Sequence, residues 1–129
     1  MSETLTFTLI GGRGSSNSGK ATKVVTTLTI SSGTTLYLVV GGNASVDVGG
    51  FNGGGDSQEI DGGGGGGGGA THVALQTGQL ASIGEANKSN VLIVAAGSGG
   101  APIFINGVGG IGGNGGTGGA GGGGTGYYG

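Results

Sequence analysis

Residues 14–20 read Gly-Ser-Ser-Asn-Ser-Gly-Lys and match the G-x-x-x-x-G-K spacing of a phosphate-cradling loop. The match fails at the next position, where Ala21 stands in place of the hydroxyl that holds magnesium. The segment after Ala21 is rich in β-branched residues, so no helix N-terminus is expected to face a phosphate. His72 is the one histidine, and the chain has no cysteine, which is too little for a triad or a zinc site. Asp47, Asp56, Glu59 and Asp61 could offer oxygens to calcium but lack the spacing of a calcium loop. They read better as solvated charges that limit self-association. Asn43-Ala-Ser45 and Asn87-Lys-Ser89 are glycosylation sequons, which matter only in a eukaryotic secretory setting. No acid, base and nucleophile stand together. The expectation is a protein that is not an enzyme, with no catalytic residues, cofactor or bound metal.

Composition narrows the classes further. Glycine supplies 40 of 129 residues and proline only one, which sets collagen aside because its repeat needs proline in quantity. Charged residues make up 8% and the net charge is −2, too little for an ordinary charged disordered segment. Arg13, Lys20, Lys23 and Lys88 are scattered and form no basic patch, so nucleic acid is not an expected partner. No apolar run reaches the roughly 18 residues that a membrane span needs. No signal peptide is visible after Met1. Such a chain stays inside the cell, leaves in an assembled particle, or has lost a leader.

The elements that could position any site are strands. Residues 4–10 (TLTFTLI) alternate strictly, with Leu5, Phe7 and Leu9 on one face. Residues 23–30 place Val24, Leu28 and Ile30 together, and residues 35–40 (TLYLVV) are apolar enough to suggest burial on both faces. Residues 71–76 follow as a fourth strand, 79–83 as a short fifth, and 90–96 (NVLIVAA) as a central one. A short β-like piece over 101–105 carries the proline, Pro102. No window shows a helical period, so the fold class is all-β within one domain over residues 1–129.

Between the strands lie glycine-rich segments over about residues 41–69 and 97–126. The first ends in eight uninterrupted glycines: Gly62, Gly63, Gly64, Gly65, Gly66, Gly67, Gly68 and Gly69. If ordered, such a run adopts an extended left-handed helix of three residues per turn with no internal hydrogen bonds, about 25 Å for eight residues. Every N–H and C=O in it then needs a partner elsewhere. From Gly109 the chain repeats every three residues, which puts Ile111, Asn114, Thr117 and Ala120 along one edge of such a helix. That pattern fits a helix at the rim of a bundle, with the eight-glycine run as its core. Ordering glycine costs roughly 1–2 kcal/mol per residue, so only a cooperative lattice clamped by strands could hold it. A small sheet with disordered glycine loops is the plainer alternative.

Four blocks in order carry a resemblance: residues 36–42 (LYLVVGG), 49–55 (GGFNGGG), 62–71 with their Ala-Thr ending, and 90–100 (NVLIVAAGSGG). Over roughly residues 4–126 the chain resembles the glycine-rich domain of the anaplastic lymphoma kinase and leukocyte tyrosine kinase receptors, with related sequences in bacterial surface proteins and phage tail-fibre adhesins. The resemblance implies a jelly-roll-like β-sandwich whose long connections form a polyglycine II helix lattice. Lacking cysteines, a kinase domain and a membrane span, the chain would not share receptor signalling.

The resulting expectation is a structural protein, a self-assembling subunit of an extracellular fibre or virion appendage. Its partners would be copies of itself. The alternative is a tip adhesin that recognises a cell-surface receptor or glycan. Contact residues for either would be Ile111, Asn114, Thr117 and Ala120, together with Tyr127 and Tyr128, whose flat rings suit a contact surface.

Overall fold

The computed structural model describes residues 1–15, 18–57 and 65–101. The protein is mainly β, with two small antiparallel sheets and little helix. The first sheet is a hairpin of β1 (Ser2–Ile10) and β2 (Lys23–Ser31), paired without a register shift from Ser2↔Ser31 to Ile10↔Lys23. Alternation along β2 half-buries Val24, Thr26, Leu28 and Ile30 and exposes the residues between them. The second sheet has the order β3-β4-β5, with β3 at Tyr37–Val39, β4 at Thr71–Ala74 and β5 at Val91–Ala95. Leu9 of β1 meets Val73, Ile93 and Ala95 in the core, flanked by Phe7, Val24, Leu28, Leu36 and Leu92. This small cluster is where the hairpin lies against the three-stranded sheet.

Three expectations need correction. Residues 79–83 are not a strand: Leu80–Ile83 is a short α-helix, α1, continued by a 3-10 helix over Glu85–Asn90. Gly78 (φ 115°) and Gly84 (φ 69°) bracket α1 in conformations that glycine tolerates, and Ile83 is buried. Four residues are too few to display a helical period, so the pattern was invisible. Residues 35–40 are not buried on both faces, since Leu38 and Val40 are 63% and 72% exposed. They belong to an edge strand with one bare face. The central strand is β4, buried at all four positions, whereas β5 with its more apolar sequence lies at the edge.

The antiparallel pairings place the C-terminal ends of β1, β3 and β5 beside the N-terminal ends of β2 and β4. The described glycine-rich segments therefore all extend from one end of the two sheets. The helical turns and the loop over residues 32–36 occupy the other end.

Candidate functional site

At that end, residues 65–70 run through the middle of four neighbouring segments. Their amides are the most telling feature. Gly66 donates to Val46 O, Gly67 to Gly55 O, Gly68 to Ser98 O, Gly69 to Gly42 O and Ala70 to Asn52 O, at 2.8–3.1 Å. The acceptor segment thus changes at each residue and returns after three, from 42–46 to 50–55 to 98 and back. The carbonyls follow the same step, Gly66 O accepting from Ser15 and Gly69 O from Gly12. Gly67 O takes the Gly50 amide. None of these bonds lies within the segment itself.

Neighbours are bonded to one another as well. Ser98 donates its amide to Gly12 O, Ala44 to Arg13 O and Gly42 to Phe51 O. Side chains finish the clamp. The Thr71 hydroxyl donates to Ile10 O (2.6 Å) and accepts the Gly41 amide (2.9 Å), tying the ends of β1 and β3 to β4. Ser98 Oγ accepts the Gly14 amide at 2.7 Å. Approach is so close that a Cβ at Gly68 would strike the Gly12 carbonyl, and one at Gly69 the Phe51 carbonyl.

Asn52 is the polar hub beside this cluster. Its amide nitrogen donates to Ala70 O (2.5 Å) and to His72 Nδ1 (2.8 Å), and its Oδ1 accepts the Leu80 amide (2.8 Å). It is 1% exposed and sits at φ 70°, a left-handed conformation that asparagine tolerates better than most residues. Because an amide NH2 can only donate, His72 Nδ1 must be an unprotonated acceptor, which assigns the proton to Nε2. His72 is fully buried, and desolvation lowers its pKa below 6.5, with the Gly78 backbone acting in the opposite sense. The ring is enclosed, and its described hydrogen-bond partner is Asn52. Sequence reading missed Asn52, although Asn-Gly at 52–53 is a recognised turn signal.

The remaining candidates separate. The Gly-Ser-Ser-Asn-Ser-Gly-Lys segment leads into β2, not into a helix, and Ser16 and Asn17 lie outside the described residues. Asp56 Oδ1 accepts the Gly49 amide and Asp47 O the Ser57 amide, so this acidic stretch closes a loop. Glu59 and Asp61 lie outside the described residues, and among the described ones no cluster of potential metal ligands occurs. Asn43 Oδ1 accepts the Arg13 amide, and Asn87 donates to Ile83 O. Gly62, Gly63 and Gly64 lie outside the described residues, as do Ile111, Asn114, Thr117, Ala120, Tyr127 and Tyr128. Among the described residues no helix is long and apolar enough to cross a membrane. Comparison with protein-family models, curated proteins and solved structures finds no match to this chain.

Proposed function

We propose that the protein is a non-catalytic structural subunit, built on a bundle of polyglycine II helices and assembling with copies of itself into an extracellular fibre or virion appendage. The three-residue cycle of hydrogen bonds around residues 66–70 carries this reading. A helix with three residues per turn and no internal hydrogen bonds directs successive amides at about 120° intervals, so its partners must recur at every third residue. On this reading the hairpin and the three-stranded sheet form the short end of a jelly-roll-like sandwich, and the bundle is its long rigid extension. The resemblance of the four ordered blocks to glycine-rich domains is in keeping with the same architecture.

Bundle and sheet together make a stiff body with little charge and exposed apolar side chains, a body suited to being a building unit. The direct test is sedimentation and electron microscopy of the full chain at rising concentration, with ordered homo-oligomers as the expected result. A monomer throughout the micromolar range would move the weight to the adhesin reading. One observation favours that second reading: Val46, Val48 and Phe51 are each 55–58% exposed on loops of the bundle end. Exposed apolar side chains grouped on loops are a common form of contact surface.

A further inference from the structure

Among the described residues no third strand pairs with the hairpin, whose sheet contains β1 and β2. Hydrogen bonds at its two ends fix which backbone groups face outward. Ser32 donates to Met1 O and Gly11 donates to Thr22 O, so odd-numbered residues of β1 are the ones bonded to β2. Alternation in an antiparallel ladder then turns the N–H and C=O of Thr4, Thr6, Thr8 and Ile10 to the outer edge. The Thr71 hydroxyl on Ile10 O confirms that direction. Among the described residues, Thr4, Thr6 and Thr8 are left with an open edge. β1 itself carries no lysine, proline or register shift as a guard against strand pairing, and its one charge, Glu3, is near its start.

We infer that the outer edge of β1 pairs antiparallel with β1 of a second copy, about a two-fold axis at Phe7. This rests on the self-assembly reading and names the surface. The occupant follows from self-complementarity. With Phe7 opposite Phe7, the outward-facing Thr6 falls opposite Thr8 of the second copy, so their backbone groups meet as a hydrogen-bonded pair. On the inner face Leu5 falls opposite Leu9, and every facing pair from Leu5 to Leu9 is apolar. Moving the axis to Thr6 also pairs outward-facing residues but sets Glu3 against buried Leu9. Moving it by half that step pairs outward with inward groups and forms no ladder. Beside this edge lies an open groove lined by Phe7, Leu9, Leu38, Val40 and Val73, which the incoming Leu5 and Phe7 would fill. Leu5, now 37% exposed, would be covered. The product is a four-stranded sheet in the order β2-β1-β1-β2. Such a contact is closed, so growth beyond a dimer uses a different surface.

Two substitutions on the full chain test this. Thr6→Pro removes an outward amide from the proposed interface while leaving the β1–β2 ladder its bonds. Thr27→Pro does the same on the outer edge of β2 and serves as the control. The expected result is that wild type and Thr27→Pro sediment as dimers or larger species while Thr6→Pro loses the dimer step and sediments at a smaller size. Assembly of Thr6→Pro equal to wild type would overturn the surface and leave self-assembly standing. A monomeric wild type would overturn both. If Thr6→Pro fails to fold, single-cysteine variants decide, because the chain has no cysteine of its own. An oxidised mixture of Thr6→Cys and Thr8→Cys chains should yield a covalent dimer that neither gives alone. Absence of that product overturns the proposal.

Discussion

Asn52 shows how much can depend on one side chain. It satisfies the Ala70 carbonyl, His72 Nδ1 and the Leu80 amide, all from elements distant in sequence. Asn52→Ala should lower stability by roughly 1–3 kcal/mol or more, since buried partners lose their bonds and a Cβ residue stays at positive φ. Asn52→Gly should recover only the backbone share. Chemical denaturation of the three proteins measures the split. His72 adds a pH dependence. Its folded pKa lies below the unfolded value of 6.5, so the unfolded chain takes up the proton first. Stability should be complete above about pH 6.5 and fall as pH drops below it, levelling off below the folded pKa. His72→Gln keeps an acceptor without a titrating proton, and its melting temperature should lose that slope below pH 6.5.

Among the elements, the glycine segments should respond to position and not to composition. Gly68→Ala sets a methyl group against the Gly12 carbonyl, whereas a methyl at Gly55 meets nothing within 4 Å. Overpacking of this kind costs about 1–3 kcal/mol, and more where backbones touch. Thermal melts should therefore separate the two variants clearly, with Gly55→Ala close to wild type. Equal melting would count against a packed bundle. The strands were readable because alternation of Leu5, Phe7 and Leu9, or of Val24, Leu28 and Ile30, reports a face directly. The polyglycine run reports none. Which segments surround its described part, residues 65–69, depends on where the strand ends bring them. Ser98 and Thr71 hold the clamp through single hydroxyls that no pattern singles out. Leu80–Ile83 was missed for want of length, and the low exposure of β4 for want of large side chains.

For the whole molecule, the expected behaviour is association governed by backbone and apolar contact. With a net charge of −2, assembly should change little between low and physiological salt, because screening has few charges to act on. Sedimentation at two salt concentrations checks this, and a strong dependence would point to an electrostatic partner surface instead. Deleting Tyr127–Gly129, residues outside the described structure, should weaken assembly without unfolding the sheets. Circular dichroism of the shortened chain separates those two effects.

The central position of residues 65–70 also sets an order of events during synthesis. Their partners come from both directions along the chain: Gly12 and Gly42 are made before them, Ser98 after. The Gly68 amide has no place to go until Ser98 has left the ribosome. A nascent chain halted before β5 would hold the β1–β2 hairpin, a three-stranded sheet lacking one strand, and a Gly68 amide without its acceptor. Since contacts so distant in sequence must close together, folding should be slow and late, with little structure gained before the last third is made. Arrest of translation at successive lengths, followed by protease digestion, should show resistance arising abruptly once residues 97–101 are free.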